Sequence, residues 1–94
     1  TFLNGGSAIT GGTIDVSQNT QLTDLIGIQQ FLTSMNIDNN PLLTNVNFNA
    51  NNITNINLTN NTALITLKLQ DNLLTSINVT TNTLLETLHE LTLV

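Results

Sequence analysis

The chain has no cysteine, arginine, tryptophan or tyrosine, and only one proline, one histidine and one lysine in 94 residues. Each absence closes off a class of protein. Without cysteine there is neither a disulfide framework nor a zinc knuckle, and the redox compartment cannot be read. The single cation, Lys68, faces Asp15, Asp24, Asp38, Asp71, Glu86 and Glu90, a net charge of −5. That balance excludes a basic nucleic-acid footprint or a patch for anionic membranes. No apolar run approaches the roughly 18 residues a membrane-spanning helix needs, and no signal-peptide pattern is present. The first residue is Thr, so the sequence reads as a processed chain or a fragment, of a length that supports one domain. Catalysis finds no footing. His89 and Glu90 are neighbours in a strand-like run and face opposite sides, and no Ser is spaced for a nucleophile–His–Asp arrangement. The aspartates fall at four different places of the pattern below, so they build no metal site, and no cofactor motif is found.

What is present is Asn, Thr and Leu, with 17 of each. Disorder needs low hydrophobicity and high charge, whereas this chain is 39% hydrophobic and 7% charged. The apolar residues fall in columns spaced 21 apart: Leu22/Leu43/Leu64/Leu85, Leu25/Val46/Leu67/Leu88, Ile14/Met35/Ile56/Ile77 and Val16/Ile37/Leu58/Val79. Asn19/Asn40/Asn61/Asn82 form a fifth column in the same register. The chain is a tandem repeat of 21 residues.

Each period divides into two halves on one template, L-x-x-L-x-L-x-x-N. Half-units begin at Gly11, Leu22, Leu32, Leu43, Ile53, Leu64, Leu74 and Leu85. The Asn of the template falls at Asn19, Asn40, Asn51, Asn61, Asn72 and Asn82, while Gln30 and Leu93 hold the other two places. The L-x-L element alternates with period two and is rich in Ile, Val and Leu, so it reads as a short strand. No helical stripe exists, and Thr and Asn are poor helix-interior residues. The expectation is an all-β-rich solenoid of about four coils, two short parallel strands per coil and little or no helix. At about 4.8 Å per coil the stack is about 20 Å long.

The template L-x-x-L-x-L-x-x-N-x-L is that of the leucine-rich repeat. Runs such as Ile53-Thr-Asn-Ile-Asn-Leu-Thr-Asn-Asn-Thr-Ala-Leu further resemble the 21-residue repeats of secreted surface proteins of Bacteroidetes-type bacteria. The resemblance covers residues 11–92 and implies a non-enzymatic extracellular or cell-surface module. It departs where the second strand of that family often carries Cys, here Phe48 and Leu69. Further departures are Gly27 and Gln30 in the first full coil and Glu90 and Leu93 in the last.

Inward positions are the apolar columns and the Asn of each turn. Asn19, Asn40, Asn51, Asn61, Asn72 and Asn82 read as a structural ladder, because a buried amide can bridge turn N–H and C=O groups from coil to coil. Outward positions differ between halves. The first half shows uniform small columns, Thr33/Thr54/Thr75, Ser34/Asn55/Ser76 and Asp15/Asn36/Asn57/Asn78. The second half is irregular, with Ile26/Asn47/Lys68/His89 and Ile28/Asn49/Gln70/Leu91. Irregularity is where a solenoid acquires ligand-specific residues, so Ile26, Asn47, Lys68, His89 and Gln70 form the candidate binding face, for a protein or glycan partner.

The ends carry a second expectation. Residues 1–12 read as an N-terminal cap or degraded coil before a solenoid over 13–94. Phe2, Leu3, Leu88, Leu91, Leu93 and Val94 are a candidate interface for end-to-end self-association, since an open sheet edge invites strand addition.

Overall fold

A computed structural model describes residues 2–4, 9–10, 13–28 and 31–89. The strands are β1 (Phe2–Asn4), β2 (Ile9–Thr10), β3 (Thr13–Ile14), β4 (Asp24–Ile26), β5 (Asn45–Asn47), β6 (Thr66–Lys68) and β7 (Thr87–His89). Five of them form one parallel sheet in the order β1-β4-β5-β6-β7, and β2 and β3 pair antiparallel. The described residues contain no helix. The fold is therefore a leucine-rich-repeat-like solenoid, wound so that each turn of chain returns to the same ladder.

Register follows the repeat. Leu25 lies beside Val46, Val46 beside Leu67 and Leu67 beside Leu88, an advance of 21 residues per strand. In β4, β5 and β6 the central apolar residue is buried and its neighbours are half-exposed, as period-two alternation requires. Entry into each strand is fixed by one carbonyl of the coil before. Thr23 C=O accepts from the N–H of Thr44 (2.8 Å) and Asn45 (3.2 Å), and Thr44 C=O accepts from Ile65 (2.8 Å) and Thr66 (2.9 Å). Ladder bonds continue past the strand ends, from Gly27 N–H to Asn47 C=O and from Phe48 N–H to Lys68 C=O, both 2.9 Å.

The first half of each repeat was expected to form a second sheet, and it does so only in part. Residues 33–37, 54–58 and 75–79 are not strands, and a single parallel bridge joins Asp15 to Asn36. The side-chain Oδ1 of Asp15, Asn36, Asn57 and Asn78 accepts the backbone N–H two residues on, from Ser17, Asp38, Thr59 and Thr80 at 2.9–3.1 Å. Asn47 makes the same Asx turn in the second half, to Asn49 at 3.2 Å, with β5 formed beside it.

The core is the set of stacked columns. Leu25, Val46 and Leu67 are 0% exposed, as are Leu43, Leu64, Leu32, Ile53 and Leu74. Ile77, Val79 and Leu85 in the last coil are only partly buried. Two departures from the template also resolve here. A Cβ on Gly27 would stand 2.4 Å from Cε1 of Phe48, so the missing side chain in one coil makes room for the aromatic ring of the next. The second turn also uses left-handed backbone at Ala50 (φ 60) and Asp71 (φ 59), one residue before Asn51 and Asn72. Phe31 also has positive φ (58), and its side chain is 79% exposed.

At the N-terminal side β1 runs parallel to β4, with Phe2 beside Asp24 and Leu3 beside Leu25. This register steps by 22 residues rather than 21, and the β2–β3 hairpin lies within that stretch. The remainder of residues 1–12, Gln30, Glu90 and the predicted interface residues Leu91, Leu93 and Val94 lie outside the described residues.

Candidate functional site

The turn asparagines form two ladders with different chemistry. In the first turn, backbone bonds of the i to i+3 kind close each corner, such as Asn40 N–H to Ile37 C=O (3.1 Å) and Leu43 N–H to Asn40 C=O (3.3 Å). The buried amide of the next coil then donates both Nδ2 protons downward. Asn40 reaches Val16 C=O (3.0 Å) and Asn19 C=O (2.9 Å), and Asn61 reaches Ile37 C=O and Asn40 C=O, both 3.0 Å. Asn82 repeats this on Leu58 C=O (3.0 Å) and Asn61 C=O (2.9 Å). The Oδ1 atoms of Asn40, Asn61 and Asn82 are buried without a partner, so this ladder is donor-only.

The second ladder works in both directions. Asn51 Nδ2 donates to Gly27 C=O (2.8 Å) and Phe48 C=O (3.0 Å), while its Oδ1 accepts from Leu32 N–H (3.0 Å). Asn72 Nδ2 donates to Phe48 C=O (2.9 Å) and Leu69 C=O (3.1 Å), and its Oδ1 accepts from Ile53 N–H (3.0 Å). The amide thus reaches a turn carbonyl of the coil before and also satisfies the N–H that restarts that coil.

One expected rung differs. Asn19 is exposed, not buried, and its part in the ladder is its backbone carbonyl, which accepts from Asn40. Among the described residues no earlier coil places a carbonyl where its side chain could donate. Burial of a first-turn ladder Asn goes with an earlier coil below it: Asn82, in the last coil, is buried on Leu58 and Asn61, and Asn19 is not.

The sheet carries the residues singled out as a binding face. Ile26, Asn47 and Lys68 are half-buried in one column, with β7 placing His89 in register beside Lys68. Gln70 is half-buried just beyond β6, its N–H held by Asn49 Oδ1 at 2.8 Å. Beside them Asp24, Asn45, Thr66 and Thr87 make a second column. There Thr23 Oγ1 donates to Asp24 Oδ1 (2.9 Å) and Asn45 Nδ2 to Asp24 Oδ2 (3.4 Å). The face is thus chemically mixed on a regular backbone. Of the predicted end residues, Phe2 and Leu3 lie in edge strand β1 and Leu88 in edge strand β7.

On the first-half side Asp15 is exposed, and its carboxyl is held below its ordinary pKa by the Ser17 hydroxyl at 2.7 Å and then by the Ser17 N–H. Among the described residues no three His, Cys, Asp or Glu side chains come together, and no helix is long and apolar enough to cross a membrane. The sequence columns gave this side as uniform and small. They did not show that its surface is grooved, because the grooves lie between successive coils.

No protein-family model matches the chain, and no curated protein sequence does. Among solved structures, the functional domain of InlJ from Listeria monocytogenes, which includes a cysteine ladder, is similar with a TM-score of 0.83 at 29% identity. The match covers 87% of this chain and 18% of that one, so the chain spans less than a fifth of the InlJ domain. No cysteine ladder exists here, since the sequence contains no Cys. By geometry and by this likeness, the fold is that of a leucine-rich-repeat solenoid.

Proposed function

We propose that the chain is a non-enzymatic recognition module of an extracellular or cell-surface repeat protein, binding a protein or glycan partner across the outer face of its parallel sheet. The observation that carries the reading is the contrast on β4–β7. The backbone and inward side chains repeat coil by coil, while the outward column changes from Ile26 to Asn47, Lys68 and His89. Variation of charge and size along one column of a repeating scaffold is the pattern of a surface shaped for a ligand. The extracellular placement rests on the resemblance of the 21-residue repeat to secreted surface proteins of the Bacteroidetes type. Residues 1–12 are read as a degraded coil before the solenoid of 13–94, a reading supported by the parallel pairing of β1 with β4.

The test is binding of purified chain to intact cells and to purified extracellular-matrix proteins, comparing wild type with Asn47→Arg/Lys68→Glu. The pair changes charge on the face without touching the core. Saturable binding lost in the pair, and kept in a Thr75→Ala/Ser76→Ala control on the other side, supports the reading. Binding equal in both variants would reject the face.

A second reading is end-to-end self-association, favoured by the edge positions of β1 and β7. Leu91→Lys with Leu93→Glu should then abolish concentration-dependent growth in light scattering. Growth unaffected by the pair would dismiss it.

A further inference from the structure

Two adjoining cavities open on the first-half side, away from the sheet face. One, of about 360 Å³, lies between the first and second coils and is lined by Ile14, Asp15, Ser17, Asn36, Asp38 and Asn39. The other, of about 240 Å³, continues between the second and third coils, sharing Asn36 and Asp38 and adding Asn55, Ile56 and Asn57. Together they make a trough along the solenoid axis. Combined, they fall within the range for small-molecule sites, which is about 300–1,000 Å³.

The lining has a consistent chemistry. The floor is one apolar column, Ile14, Met35 and Ile56, and Ile56 stays only partly buried although a coil lies on either side of it. The walls repeat a carboxamide or carboxylate at each coil, Asp15, Asn36 and Asn57. Each of these spends Oδ1 on its own Asx turn. The Nδ2 groups of Asn36 and Asn57, exposed residues that line the cavities, make no hydrogen bond among the described residues and are available as donors, with Asp38 and the second oxygen of Asp15 as acceptors. No Lys, Arg or His lines either cavity, and two carboxylates do. That excludes phosphorylated, sulfated or otherwise anionic ligands by repulsion.

Ile14 and Met35 lie buried beneath the trough and Ile56 offers its apolar surface; with neutral donors and acceptors along the walls and no cationic group, this lining matches a pyranose chain. Such a chain has C–H faces and a rim of neutral hydroxyls that both donate and accept. We infer that this trough binds a neutral, extended oligosaccharide, laid along the solenoid axis across the first three coils. The site is independent of the sheet face proposed above, and its test reads separately.

The experiment is titration of isotope-labelled chain with cellotetraose and with chitotetraose, followed by amide chemical shifts. The expected result is saturable shifts centred on Ser34, Asn36, Asp38, Asn55 and Asn57, with a dissociation constant of about 0.1–10 mM. Asn36→Asp/Asn57→Asp keeps the turns, as Asp15 already shows at the equivalent place, removes the donors and adds two negative charges, to which a neutral sugar is indifferent beyond the lost hydrogen bonds. The pair should weaken binding about tenfold or more while the unbound spectrum stays folded. Lys68→Ala should bind as wild type. The proposal is overturned if neither sugar shifts these residues at about 10 mM, if the shifts map to β4–β7, or if the Asp pair binds unchanged. It is equally overturned if calcium alone perturbs Asp15 and Asp38 and neither sugar does.

Discussion

Replacing Asn72 with alanine should cost the fold about twice as much as replacing Asn61, although both are buried ladder amides of the same template. Asn61 donates two bonds of 3.0 Å and accepts none. The carbonyls it serves keep another donor, Asn40 N–H on Ile37 and Leu43 N–H on Asn40. Its removal therefore orphans nothing, and two net hydrogen bonds are worth about 2 kcal/mol. Asn72 also donates two good bonds, at 2.9 and 3.1 Å, but its Oδ1 additionally accepts the N–H of Ile53, a residue 0% exposed. Losing it leaves a buried donor unpaired, which adds about 1–3 kcal/mol. The totals are about 2 against about 4 kcal/mol, with the truncation cavity common to both variants. For a domain of this size the gap of about 2 kcal/mol corresponds to about 8–16 °C in melting temperature. Urea unfolding followed by circular dichroism, with thermal melts of the same samples, measures it. Equal losses, or a larger loss for Asn61→Ala, would refute the idea that the orphaned N–H separates the two ladders.

The remaining predictions concern packing, strain and titration. Gly27→Ala should cost about 1–3 kcal/mol because its Cβ meets the Phe48 ring, and Phe48→Leu in the same chain should recover part of that loss. Additive losses in a double-mutant cycle would show that the ring does not set the clash. Leu67→Ala, at a fully buried site, should cost about 2–5 kcal/mol, whereas Leu84→Ala, at a site 58% exposed, should stay within about 0.5 kcal/mol of wild type. Denaturant midpoints decide between them. Phe31→Asn places a residue tolerant of positive φ where an exposed ring now sits, so it should melt no earlier than wild type and gain up to about 1 kcal/mol. An earlier melt would mean that the ring is held by packing. Ser17→Ala should raise the Asp15 pKa toward the ordinary carboxylate value, because the hydroxyl bond is the larger of its two depressing contacts. Since Asp15 titrates lower when folded, what it adds to stability is present above the ordinary carboxylate pKa and fades as pH falls through its folded value. A carboxyl-carbon titration unchanged by Ser17→Ala would refute the assignment.

Much of this architecture is written in the chain itself. The 21-residue columns fix the length of a coil, and Leu25, Val46 and Leu67 name the inward position of the strand that later stands in register. The placing of Asn at the turns, with little charge and no helical stripe, is enough to exclude a helical repeat. What the repeat pattern cannot contain is the identity of each partner, because partners come from the neighbouring coil. Both halves of the repeat read as the same L-x-L strand, yet only the second half builds the sheet. The first half keeps a single bridge between coils, Asp15 to Asn36, and that difference exists only once coils stack. The six ladder asparagines look alike in sequence. Stacking makes Asn40, Asn61 and Asn82 donors only and gives Asn51 and Asn72 a donor to receive, while Asn19 is left exposed for want of an earlier coil below its side chain. Gly27 reads as a fault in the repeat until the Phe48 ring of the next coil is set against it. The trough on the first-half side belongs to the same class, since its walls come from successive coils. Periodicity determined which way each residue faces, and the contact of one coil with the next decided what it meets there.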